Sequence, residues 1–189
     1  MSSVVISGDT SGAITVSAPA VSGTNTLTLQ AATATSAVNT LGTAVASTSG
    51  TSIDFTSLPS WIKRITVMFS GVSTSGTSNI QIQIGAGSVD AATYVSTASV
   101  NGTTLATSTT GFITSGSTAA ATTVNGWYAI CYIGSNIWTG GGSLARADGN
   151  MNNAGGAKTL SGTLDRVRIT TVNGTDTFDA GTINILYEG

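Results

Sequence analysis

The segment Ile80-Gln-Ile-Gln-Ile84 alternates apolar and polar side chains without a break. Such a period-two pattern buries one face only when the chain is a β-strand. It recurs elsewhere. Ile65, Val67 and Phe69 share one face of the run 64–70, and Val167 and Ile169 alternate with Arg166, Arg168 and Thr170. Ile183, Ile185 and Tyr187 share a face near the C-terminus. Residues 127–133 are apolar on both faces, the pattern of a central strand covered on each side. Helix formers are scarce: Glu occurs only at 188 and Lys only at 63 and 158, while Val, Ile and Thr abound between Gly and Asn punctuation. The expectation is an all-β chain whose body is an antiparallel β-sandwich.

The run Lys63-Arg-Ile-Thr, followed by Ile80-Gln-Ile82, is echoed by Val167-Arg-Ile-Thr170, followed by Ile183-Asn-Ile185. Each reads as strand, Gly-rich loop, strand. Any two hairpins of a Thr- and Gly-rich β protein produce such an echo. A symmetric pair of hairpins in one sandwich produces it too.

Residues 1–50 differ from the rest. Short strand-like pieces at 4–6, 13–16 and 26–29 precede an Ala/Thr/Ser stretch, and no aromatic residue occurs before Phe55. So few large side chains bury little area alone, so this arm is expected to pack on another chain or stay mobile. The expected organisation is an arm over 1–50 and a β-sandwich domain over 51–189.

Charge narrows the partners. Only 7% of residues are charged, against roughly 25% in ordinary soluble domains, so the polar surface is built from Ser, Thr, Asn and Gly. The net charge is −2, and the basic pairs Lys63-Arg64 and Arg166/Arg168 are too few for a nucleic-acid footprint or a polybasic membrane patch. No stretch of about 20 apolar residues could span a membrane as a helix. The N-terminus lacks the basic region of a signal peptide, so synthesis in a cytoplasm is expected.

The chain contains no histidine and a single cysteine, Cys131. A Ser-His-Asp or Cys-His device therefore lacks its base, and a thiolate or histidine zinc site lacks its ligands. Gly155-Gly-Ala-Lys158-Thr159 misses the Gly-Lys pair of a phosphate loop, and Gly141-Gly-Ser143-Leu-Ala145 misses the last glycine of a nucleophile elbow. Asp148-Gly-Asn150-Met-Asn152 alternates oxygen ligands as calcium loops do, but Thr159 stands where the closing acid belongs. Paired carboxylates could still serve a glycosidase. Asp176 and Asp179 are the nearest such pair, in a loop where Asp commonly bonds its own backbone. Cys131, on an apolar strand, is expected to be a small buried hydrophobe. No enzyme, metal or cofactor is expected.

Among the aromatic residues, Trp127 and Tyr128 are expected in the core, and Trp61 where a loop enters a strand. Trp138, ahead of Gly140-Gly-Gly142, is the best candidate for stacking on a sugar.

The N-terminal segment Ser7-Gly-Asp-Thr-Ser-Gly-Ala-Ile-Thr-Val-Ser-Ala-Pro19-Ala-Val-Ser-Gly-Thr-Asn-Thr-Leu-Thr-Leu29 resembles a segment common in tailed-bacteriophage fibre and appendage proteins. The stretches Ile53-Asp-Phe-Thr-Ser-Leu-Pro-Ser-Trp-Ile-Lys-Arg-Ile-Thr-Val-Met-Phe69 and 164–187 are similar to the same group. The resemblance implies a β-sandwich body, an N-terminal attachment segment and a homotrimer. Attachment or oligomerisation would then fall to Val4, Ile6, Ile14, Val16, Leu27 and Leu29. The short chain points to a compact piece of a virion: a head fibre, a capsid-decoration protein or a short tail appendage. The expectation is a jelly-roll-like antiparallel β-sandwich behind an extended N-terminal β arm, partnered by other virion proteins. The alternative role is a carbohydrate-binding adhesin that meets a host-surface glycan.

Overall fold

A computed structural model describes Ser3–Ser7, Ala13–Ser17 and residues 38–189. Among these residues every regular element is a strand. The chain divides into two compact units, Met1–Ser36 and Ala37–Gly189. In the first, β1 (Ser3–Ser7) and β2 (Ala13–Ser17) pair antiparallel, with Val4 opposite Val16 and Ile6 opposite Ile14. Leu27 and Leu29 lie outside the described residues.

The second unit holds fourteen strands: β3 (Asn39–Leu41), β4 (Val45–Ala46), β5 (Ser52–Phe55), β6 (Arg64–Thr74), β7 (Ile80–Ala86), β8 (Ser88–Val89), β9 (Val95–Val100), β10 (Thr104–Ser108), β11 (Phe112–Ile113), β12 (Val124–Gly134), β13 (Ile137–Arg146), β14 (Met151–Thr159), β15 (Arg166–Thr171) and β16 (Phe178–Glu188). They form two antiparallel sheets. The larger has nine strands in the order β10-β9-β14-β13-β12-β6-β16-β3, with β4 also on β16. The smaller has five, in the order β11-β7-β15-β5, with β8 on β7.

The inward faces of both sheets meet in one apolar cluster. Ile65, Val67, Phe69, Tyr128, Ile130, Ile183 and Ile185 come from the larger sheet, and Ile53, Phe55, Ile82, Ile84, Val167 and Ile169 from the smaller. The arrangement is sandwich-like, with each buried Ile or Phe contributing roughly 1.5–3 kcal/mol. The alternations at 65–69, 80–84, 167–169 and 183–187 thus turn their apolar members inward, as the period-two pattern requires.

The sequence echo is not a pair of hairpins. In each copy the loop carries the chain from one sheet to the other, and the copies pair with one another: β6 on β16 and β7 on β15. Their loops are laced together. Ser75 N donates to Thr177 O at 2.8 Å, Ser78 N to Asp176 Oδ2 at 2.9 Å, and Asn173 N to Ser78 Oγ at 3.0 Å.

Two expectations are corrected. The boundary near residue 50 falls instead between Ser36 and Ala37. Gly42 N donates to Ile185 O at 2.7 Å and Ser47 N to Gly181 O at 2.9 Å, so 38–50 belongs to the edge of the larger sheet. Backbone pairing holds this stretch without large side chains. Cys131 is only part-buried. It lies opposite Thr139 and Arg64 on the outward face of the larger sheet.

A buried ion pair ties the 86–94 connection to the larger sheet. Lys158 Nζ lies 2.6 Å from Asp90 Oδ2 and donates to Ala92 O at 2.7 Å and Thr93 Oγ1 at 2.8 Å. It also sits 5.0 Å from the centre of the Tyr94 ring. The Tyr94 hydroxyl accepts from Ile84 N at 2.8 Å and donates to Asp90 O at 3.0 Å. Burial pushes this phenol well above the usual tyrosine range.

The Lys158 side chain is 1% exposed and that of Asp90 33%. Asp90→Ala orphans a buried ammonium, and the expected loss is about 3 kcal/mol, the low end for a broken buried pair. Lys158→Met leaves a carboxylate that water can reach, and is expected to cost less. Urea unfolding at unchanged m-value measures both; an equal or reversed ranking contradicts the geometry.

Candidate functional site

The two outward faces differ in chemistry, and the tryptophans locate the difference. Trp138 is 3% exposed and Trp127 is 49% exposed, the reverse of the sequence expectation. The run Gly140-Gly-Gly142 is not a loop but the middle of β13. A Cβ on Gly140 would stand 2.6 Å from the Tyr128 ring, so glycine is what lets that ring lie against the strand. β13 begins after a tight turn at Ser135 and Asn136, both at positive φ, the conformation of a two-residue hairpin. An irregularity between Tyr132 and Gly134 then sets Trp138 opposite Tyr132, on the inward side, with ring centres 5.1 Å apart. Trp138 lines only a recess of about 150 Å³ with Tyr132 and Lys63. That is below the roughly 300–1,000 Å³ of small-molecule sites. As a sugar platform Trp138 is therefore corrected: no open ring face is offered.

Trp127 stands on the outward face of the larger sheet, between Ser143 and Met68. Exposed Leu41, Val95, Leu105, Ile133 and Met151 belong to the same sheet. Along one cross-strand row, Thr97, Gly155, Gly141, Ala129 and Thr66 follow each other, which keeps the face low and flat. Among the described residues its one ion pair is Arg64–Glu188, at 3.4 Å.

The smaller sheet presents polar groups instead. Asp54, Arg168 and Gln83 form one cross-strand row, and Ser52, Thr170 and Gln81 the next. Gln81 is 2% exposed and Gln83 7%, although their alternation places them away from the core. The segment 108–111 covers them. Gln81 Oε1 accepts from Ser108 Oγ at 3.1 Å and Thr110 Oγ1 at 2.9 Å, and Gln83 Nε2 donates to Thr110 O at 2.9 Å. A Cβ on Gly111 would lie 2.9 Å from the Gln81 amide. Arg168 grips Asp54 with two parallel bonds, Nε to Oδ1 at 2.7 Å and Nη2 to Oδ2 at 3.0 Å. The Asp54 carboxylate holds the guanidinium above its ordinary pKa. Gln81, Gln83, Thr110, Arg168 and Thr170 line a recess of about 300 Å³, open to solvent and rimmed by Val172 and Asn173. The sequence reading passed over it because Gln81 and Gln83 look like ordinary water-facing residues. The available signal was two long amides where Thr or Ser would serve a plain exposed face.

The acidic candidates take loop roles. Asp176 accepts from Ser78 N and from Asn173 Nδ2, which holds its carboxyl below the usual range. Asp179 accepts from Ser73 Oγ. Asp148 pairs with Arg146 at 2.6 Å and accepts from Asn150 N. Among the described residues no three acidic or cysteine side chains gather into a metal-binding group. The chain matches no known family model, no characterised protein and no solved structure.

The inverted tryptophans are open to direct measurement. In the protein diluted to single chains, Trp127→Phe is expected to remove more acrylamide-quenchable fluorescence than Trp138→Phe. The opposite ranking would reverse the faces assigned to β12 and β13.

Proposed function

We propose that this protein is a non-enzymatic structural component of a bacteriophage virion, displayed on the particle surface and anchored through its N-terminal residues. The observation that carries the reading is the outward face of the nine-stranded sheet. It is broad, low and nearly uncharged, with Trp127, Leu105, Val95 and Leu41 exposed. Large apolar side chains set among Gly, Ala, Ser and Thr on a flat, nearly uncharged face suit an interaction surface. A second and third copy of the chain suit it, because a face with so little charge meets its like without repulsion, and closed symmetry also covers sheet edges. The body is read as a jelly-roll variant: the chain alternates between sheets through β5, β6, β7 and β9 and again at β15 and β16. The meander β12-β13-β14 is an addition to that pattern. Head fibre, capsid decoration and short tail appendage are the locations this reading allows, and the sequence resemblance supports all three.

Three measurements test it. Immunogold electron microscopy of virus particles from the source strain is expected to label the particle; unlabelled particles would overturn the virion assignment. Deletion of residues 1–36, which leaves β3 and β4 in place, is expected to abolish incorporation while the remaining chain stays folded, and undiminished incorporation would overturn the anchor. Light scattering is expected to report three times the 18.7 kDa of the chain, falling to one chain in Trp127→Glu.

A further inference from the structure

The recess on the smaller sheet has hydrogen-bonding capacity that its own chain leaves unused. Gln83 is nearly buried and its Nε2 is committed to Thr110 O, yet its Oε1 has no partner among the described residues. That oxygen is not among the fully buried atoms; it meets the solvent of the recess, where a ligand hydroxyl can replace water as its donor. Directly across the strand pair stands Arg168. Its Nε and Nη2 are taken by Asp54, while Nη1 carries no bond among the described residues. An unfilled acceptor and an unfilled donor thus sit on neighbouring strands, whose backbones run roughly 4.8 Å apart.

A hydroxyl is the small group that both donates and accepts. A ligand with adjacent hydroxyls can donate to Gln83 Oε1 and accept from Arg168 Nη1 at once. Charge decides the class further. The Asp54 carboxylate neutralises the guanidinium, so the recess offers no net attraction to an anion. Val172, 42% exposed at the rim, supplies apolar surface for the C–H face of a ring. The volume of about 300 Å³ lies at the low end of small-molecule sites and suits one ring.

We propose that this recess binds a single neutral pyranose residue, free or at the end of a glycan, through Gln83 and the Arg168–Asp54 pair. The site is independent of the assembly role, since it lies on the opposite sheet from the apolar face.

Saturation-transfer NMR on the full chain tests the proposal with D-glucose, D-galactose, N-acetyl-D-glucosamine and N-acetylneuraminic acid as probes. Transfer to at least one neutral sugar is expected, with 1H–15N shift changes at the Gln83 side-chain amide and Arg168 Nε. Gln83→Leu is expected to weaken that binding about tenfold, the loss of roughly one hydrogen bond. The shift map on the unaltered protein decides the matter if this variant fails to fold. Free and glycan-terminal sugars are separated by repeating the titration with the matching disaccharide. No transfer to any neutral sugar, response to N-acetylneuraminic acid alone, or shifts centred on Trp127 would each overturn the proposal.

Discussion

The fold depends on the mutual pairing of two inter-sheet crossings. The chain passes from the larger to the smaller sheet between β6 and β7, and back between β15 and β16. Each crossing leaves a strand edge in both sheets, and each edge finds its backbone partners in the other crossing. Neither crossing is satisfied alone, because a strand within a buried sheet cannot leave its N–H and C=O groups unpaired. The laced loops at 75–78 and 173–177 close the same end of both. More than ninety residues separate the two crossings in sequence, so this is a topology of costly, non-local contacts.

The chemistry of the two outward faces follows from this arrangement. On β7 and β15 the inward positions are Ile and Val, so the alternating positions between them, Gln81, Gln83, Arg168 and Thr170, necessarily share the other face. Register then sets Arg168 beside both Gln83 and Asp54. On the larger sheet the same alternation places Trp127, Ala129 and Cys131 outward. One face therefore carries a cluster of amides, hydroxyls and one neutralised ion pair, and the other a flat, sparsely charged field of small residues with large apolar side chains set among them. A recess and a broad flat face can coexist on a small unit because a sandwich has two outsides.

Aromatic residues show where sequence reading stops. Tyr94, Phe112 and Tyr128 follow one another in the core, the first pair edge-to-face and the second tilted, with ring centres 5.1 and 5.7 Å apart. Room for Tyr128 comes from Gly140, a position that looks like part of a flexible loop when only the letters are seen. Once those glycines are strand residues, Trp138 falls inside and Trp127 outside. The burial of Gln81 and Gln83 was equally hidden, since the segment that covers them is brought there by β11 pairing with β7, thirty residues along the chain. The edge strands β3 and β4 escaped notice for a related reason: they are held by backbone bonds, which leave little mark on side-chain pattern.

The sequence by itself determined the strand character of the body, the inward faces of its main strands and the scarcity of charge on its surface. These follow from local periodicity and composition, which act residue by residue. It also carried the resemblance that supports the virion proposal. Tertiary structure alone decided which strands pair, which tryptophan meets solvent, where the body begins and that a polar recess forms on the smaller sheet. Those outcomes depend on register and on contacts between residues far apart in the chain, and a one-residue change of register sends every side chain to the opposite face.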